Sequence, residues 1–242
     1  MSQVIEQDFF GGAIRGVVPQ KWIDASNLRE IPDHQELFLS PDTLSNLIIE
    51  INERVSQEDA LSTFATLCQQ QPSLAADSGS TAGTTTETVN QAAALYHLYD
   101  ICEDGDAMHV VAAPQRVTLD RLLSNAPSKP SISSYKGIVE FKTASGRRDQ
   151  RLPAAKSGST AAGVSMNGGS ASAPATKTLT CHFLLVRLET QETDLVTFFN
   201  VPHDEFDKEG DAGGLSKEET SAEDIMRAME EKLQIVDWGL FI

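Results

Sequence analysis

The sequence predicts an α/β (α+β) protein in which an antiparallel-rich sheet is covered by helices on both faces. Three observations carry that prediction. Short apolar and β-branched runs alternate along the chain with segments of helical periodicity. The last two runs are separated only by the polar stretch Glu189–Asp194, too short for a parallel crossover, so they pair antiparallel. The helical segments each carry one apolar stripe while the strands carry apolar residues on two faces, an arrangement that stacks helices over a sheet.

Taken in order, Phe9-Phe10 and Ala13–Val18 flank Gly11-Gly12, a pair free to adopt φ > 0 in a tight turn, and Pro19 closes the second run as one arm of a hairpin. Gln35–Leu39 and Leu47–Ile51 read as strands. Glu58–Gln70 sets Leu61, Phe64, Ala65 and Cys68 on one helical face, and Asn90–Tyr99 is a second helix rich in Ala and Leu. Met108–Ala112, Gly137–Lys142, Thr180–Leu188 and Leu195–Val201 complete the strands. In Ser216–Leu233 the residues Ile225, Met229 and Leu233 recur every fourth position, and Ser216 with Glu219 has the form of a capping box.

Two stretches rich in Ser, Thr, Gly and Ala, Pro72–Glu87 and Pro153–Thr178, lack periodicity and read as flexible insertions. The remaining length suits a single domain over residues 1–242 with two surface loops.

The formal net charge is −16, with 40% hydrophobic residues. That apolar content supports a packed core, and the carboxylate excess repels phosphate backbones and anionic lipid, so neither nucleic acid nor a membrane is the expected partner. No apolar run has membrane-spanning length, and the N-terminus carries Glu6 and Asp8 where a signal peptide would be basic, so neither a secreted precursor nor a membrane protein is expected. Cys68, Cys102 and Cys181 are odd in number and widely spaced, which fits a reducing cytosol or nucleus.

Candidate chemistry is sparse. The glycine pair matches neither phosphate-loop pattern, and His97 with Asp100 falls short of a metal set and suits a core or capping role. Asp104–Asp106 lacks the calcium-loop spacing and reads as an ordinary turn. Cys181 and His182 are adjacent in a strand, so their side chains point to opposite faces and cannot form a catalytic pair. No cofactor or metal is expected, and no active site. The stretch Asp204–Glu231 holds eleven carboxylates against Lys208, Lys217 and Arg227, and reads as the wet face of the last helix plus a mobile acidic loop able to steer a basic partner.

The remaining feature is the charged cluster Asp24, Ser26, Arg29, Glu30, Asp33 and Glu36 between two strand-like segments. Pro32 biases Ile31 to extended backbone, so Leu28–Asp33 crosses the surface as loop. On composition alone this is a solvated turn in which Asp24 or Ser26 makes a local cap bond and Arg29 pairs with a neighbouring carboxylate.

GGAI at Gly11–Ile14 followed by VVPQKWIDASNLREIPDHQELF at Val17–Phe38 resembles the opening of the Ran guanine nucleotide release factors, also described as Ran-binding nuclear import factors. YHLYD at Tyr96–Asp100 and LLVRLETQETDLVTFFNVP at Leu184–Pro202 resemble later parts of the same family. The resemblance implies a non-enzymatic protein that binds the small GTPase Ran, promotes loss of its guanine nucleotide and supports nuclear import, in nucleus and cytoplasm. It implies a PsbP-like α/β/α sandwich, and it singles out Asp24, Arg29, Glu30, Asp33 and Glu36 as the partner-binding residues. The competing expectation is an interaction or assembly module of the same fold that leaves nucleotide alone. A monomer is the default state.

Overall fold

The computed structural model describes residues 3–28, 30–74, 85–102, 105–124, 131–144 and 176–241. Its strands are β1 (Val4–Phe9), β2 (Ile14–Pro19), β3 (Ile23–Asp24), β4 (Gln35–Leu39), β5 (Asn46–Glu53), β6 (Ala107–Val117), β7 (Ile132–Ala144), β8 (Thr176–Leu188), β9 (Thr193–Pro202) and β10 (Gln234–Ile235). Its helices are α1 (Gln57–Gln70), α2 (Thr86–Asp100), α3 (Asp120–Ser124), α4 (Asp204–Glu209) and α5 (Ala212–Lys232).

Seven strands form one antiparallel sheet in the order β3-β4-β5-β9-β8-β7-β6, and β1, β2 and β10 form a second, smaller antiparallel sheet. The alternation along β8 shows why the large sheet is covered on both sides. Leu184, Val186 and Leu188 enter a core shared with Ile225, Met226 and Met229 of α5 and with Phe9, Ile14 and Val17 of the small sheet. Cys181, Phe183 and Leu185 enter the opposite core beneath Ala60 and Leu67 of α1 and Ala92, Leu95 and Leu98 of α2. Each fully buried Leu or Phe in these layers contributes about 1.5–3 kcal/mol.

The expected layers are present, with the addition that the N-terminal hairpin shares one face with α5. The hairpin turn is left-handed through Phe10 (φ 49), Gly11 (φ 67) and Gly12 (φ 94), a path the glycine pair permits at two of its three positions. The weak periodicity of α2 also has a cause. Val89, Asn90, Ala92, Ala93, Ala94, Leu95, His97 and Leu98 are all buried, so the helix is enclosed on most of its circumference.

Several sequence expectations are corrected. Helix α5 begins at Ala212 and is capped by Asp211, whose side chain accepts the Gly214 N–H at 2.8 Å; Ser216 therefore lies inside the helix and forms no capping box. A Cβ at Gly214 would run into the Asp211 carboxylate, so Gly214, which looks like a helix breaker, is what admits this cap. The acidic stretch is α4 and α5 rather than a mobile loop, because its carboxylates are used: Glu205 accepts the Leu44 N–H and Glu218 accepts the Thr43 hydroxyl, both at 2.9 Å.

The insertions are also shorter than read at their described ends. Leu74 is 5% exposed, Thr85 caps α2 by accepting the Thr88 N–H, and β8 already runs from Thr176. Residues 75–84 and 153–175 lie outside the described residues. Among the described residues no helix is long and apolar enough to cross a membrane, and no group of three or more His, Cys, Asp or Glu side chains could hold a metal ion.

Candidate functional site

The outer edge of the large sheet, β3 and β4, meets the turn of the β1–β2 hairpin, and the predicted acidic residues are distributed around that junction. Asp24 stands opposite Phe38 in the β3–β4 register, and Glu36 lies two residues before Phe38, so the two carboxylates share a face. Glu36 is half-buried and its Oε1 accepts the backbone N–H of Phe10 at 2.6 Å. Burial raises its carboxyl above the usual range; the Phe10 N–H opposes that shift, and the charge of Asp24 adds to it. Beneath them, the rings of Phe9 and Phe38 pack edge to face with centroids 5.7 Å apart.

Asp24 also holds the local backbone. Its Oδ1 accepts the Ser26 N–H at 2.8 Å and caps a single 3-10 turn, Ala25–Asn27, which closes with Leu28 N–H to Ala25 O at 2.9 Å. Ala25 is fully buried beneath that turn. Glu30 and Asp33 are exposed on the connection that follows, where the Gln35 N–H reaches Pro32 O at 2.9 Å. Arg29, the fifth predicted residue, lies outside the described residues.

The structure therefore brings Asp24 and Glu36 together and sets Glu30 and Asp33 outward beside them. The cap bond expected of Asp24 is present. Two neighbours were missed in the sequence, Leu28 at 65% exposure and Ile23 at 40%. The readable signal was an apolar side chain at each position in a segment otherwise polar, with no periodic partner to bury it.

The other resemblance segments meet elsewhere, in the core. Arg187 and Asp194 are register partners at the end of the β8–β9 hairpin, both fully buried, with Nε to Oδ1 at 2.9 Å. Arg187 also donates to Asn90 Oδ1 at 3.0 Å and Val55 O at 2.7 Å, while Asp194 accepts the Val55 N–H and bonds His97 Nε2, each at 3.0 Å. Burial alone raises the Asp194 carboxyl, but the His97 bond, the Arg187 charge and the Val55 N–H together hold it below its usual range. His97 thus has the expected core role, and the YHLYD and RL-turn-TDL segments are joined by a structural network.

Cys181 and His182 point into opposite layers: burial pushes the Cys181 thiol far up, and His182 Nε2 bonds Glu219 of α5 at 2.8 Å. A cleft of about 310 Å³ between β6–β7 and α5 has Lys136 and Arg227 at its rim, paired with Glu230 and Asp224.

Comparison with known proteins gives a consistent set of relatives. The family model described as "Ran-interacting Mog1 protein" matches residues 7–202. A probable Ran guanine nucleotide release factor of Dictyostelium discoideum is 44% identical over 54 residues, covering 22% of this chain and 28% of that protein. The nuclear import protein mog1 of Schizosaccharomyces pombe is 50% identical over 50 residues, covering 20% and 26%. The chain thus spans less than a third of the length of these curated relatives. The solved structure of the Saccharomyces cerevisiae Ran-binding protein Mog1p superposes with a TM-score of 0.49 at 19% identity, over 100% of both chains.

Proposed function

Since the chain belongs to the Ran-interacting Mog1 protein family, we propose that it binds the small GTPase Ran, promotes release of Ran's guanine nucleotide and supports nuclear protein import. The observation that carries the reading is family membership over residues 7–202, a span that includes the whole junction of Asp24, Glu30, Asp33 and Glu36. The contact surface is that junction: carboxylates on a pinned edge of the sheet, in a protein of net charge −16, complement a basic partner face.

Release follows from linkage. A factor that weakens Ran's hold on nucleotide by some ratio is itself weakened by nucleotide in the same ratio, so it binds nucleotide-free Ran more tightly than either loaded form. Equal affinity for both forms releases nothing. The carboxylates provide the differential contact by competing for cationic groups of Ran that otherwise hold phosphate, or for the segments that order around its magnesium.

The test is release of fluorescent GDP and GTP from purified Ran as the protein is titrated. Accelerated loss supports the reading and identifies the loaded form it acts on. Binding without acceleration reduces the function to a Ran-binding module, and no binding at all overturns it.

A further inference from the structure

We propose that Leu28 is the apolar anchor of this acidic surface: the carboxylates around it set how fast the partner arrives, and Leu28 sets how long it stays. The proposal rests on the reading of the β3–β4 junction as the Ran contact and deepens it by naming a residue type that charge alone does not supply.

Leu28 is the most exposed large hydrophobic side chain among the described residues, at 65%, and Ile23 of β3 nearby is 40% exposed. A leucine on a mobile loop would reduce its exposure by folding inward, but Leu28 is held. Its N–H is bonded to Ala25 O, Ala25 is buried at 0% exposure, and the turn between them is capped by Asp24 and braced by Asn27 Nδ2 to Asp24 O at 3.3 Å. The side chain is therefore presented to solvent by a backbone that is already ordered, which lowers the entropy a partner must remove on binding.

The charged rim is formed by Asp24, Glu30 and Asp33, which lie close to Leu28 along the chain, Glu30 and Asp33 both exposed. An apolar centre inside a charged rim is the usual anatomy of a specific protein contact. The fitting partner face is an apolar recess bordered by Lys or Arg, and on the reading above that face belongs to Ran. The two parts act on different rates. Rim charges act at long range, so they change association and its salt dependence; a desolvated leucine acts only after contact, so it changes dissociation.

The experiment measures association and dissociation of nucleotide-free Ran with the full chain by surface plasmon resonance at two salt concentrations, for wild type, Glu30→Gln, Leu28→Ala and Leu28→Asp. Glu30→Gln is expected to slow association and flatten its salt dependence. Leu28→Ala is expected to speed dissociation roughly tenfold or more, the change expected from removing most of a buried leucine side chain, with association altered by less than about twofold. Leu28→Asp is the sharper arm: a surface that works by charge alone gains affinity from the extra carboxylate, whereas an anchor loses it.

Unchanged dissociation in Leu28→Ala, or tighter binding in Leu28→Asp, overturns the anchor while leaving the Ran reading in place. A melting temperature lowered by several degrees in Leu28→Ala also overturns it, because the side chain would then be packing against its own fold. If the wild-type chain does not bind Ran, the functional reading fails and the anchor fails with it.

Discussion

The carboxylate of Glu36 and the backbone N–H of Phe10 meet at 2.6 Å across 26 positions of sequence, tying β4 of the large sheet to the turn of the N-terminal hairpin. One acidic side chain thus joins the two sheets, and on the proposed function it has a second duty, lending charge to the Ran contact.

Those duties separate in Glu36→Gln. The amide oxygen still accepts the Phe10 N–H, but the charge is gone. Because the folded carboxyl lies above its unfolded value of 4.5, the folded state binds more protons than the unfolded state between those two values, so this group lowers stability as pH rises through that window. The variant is expected to match wild type below about pH 4 and to be more stable at neutral pH, while binding Ran less well. Urea denaturation at pH 4 and pH 7 with a parallel Ran titration checks both; equal stability at pH 7 refutes the buried-charge account.

Asp24→Ala confounds folding with binding, because the side chain caps the turn that carries Leu28. Loss of a cap costs about 1 kcal/mol, whereas Asn caps as well as Asp. Asp24→Asn is expected to keep the wild-type melting temperature and bind Ran more weakly, and Asp24→Ala to lose both. Paired thermal melts and calorimetric titrations make the comparison; an Asn variant with full Ran affinity removes Asp24 from the contact.

Breaking the Arg187–Asp194 pair leaves an uncompensated buried charge, so Arg187→Met is expected to destabilise by about 3–5 kcal/mol. The depressed Asp194 carboxyl contributes stability that is present above the unfolded value of 3.8 and is lost as pH falls through its lower folded value. Acid denaturation of wild type should therefore steepen below pH 3.8, and Asp194→Asn should remove that component. Denaturant midpoints across pH 2–5 read it directly (roughly the range in which carboxylates titrate).

Gly16 lies in β2 where a Cβ would fall 2.6 Å from Met229 Sδ and 2.8 Å from Phe9 Cε2. The methionine end can shift but the ring is packed, so Gly16→Ala is expected to cost about 1–3 kcal/mol. Gly12→Ala meets no atom within 4 Å, yet its φ of 94 strains any other residue by about 1–3 kcal/mol. Losses from crowding and from backbone strain are told apart by a double-mutant cycle with Phe9→Leu, whose coupling to Gly16→Ala is expected to exceed its coupling to Gly12→Ala.

The layers were legible because β8 and β9 are near-continuous apolar runs, as strands buried on both faces are, and because Gly11-Gly12 permits little but a turn. The cap of α5 was not, since Gly213-Gly214 has the composition of a loop and only the Asp211 carboxylate shows why glycine is needed there. The candidate site was half legible. Its charges are written in Asp24 through Glu36, but the link from Glu36 to Phe10 is a contact to backbone, which no side-chain pattern records. The exposure of Leu28 depends on how a single turn is pinned, which spacing does not reveal.

The sheet register has a consequence of its own. Ala144 at the end of β7 and Thr176 at the start of β8 are direct partners, so the chain leaves the sheet and rejoins it at one rung of the ladder. Whatever connects them, the two ends are already placed for a tight hairpin, and each halving of the connection changes the closure free energy by only about 0.6 kcal/mol. This rung is therefore the natural place to open the chain for circular permutation, or to graft a fluorophore or a second domain, with the old ends of the polypeptide joined elsewhere and the β3–β4 edge untouched.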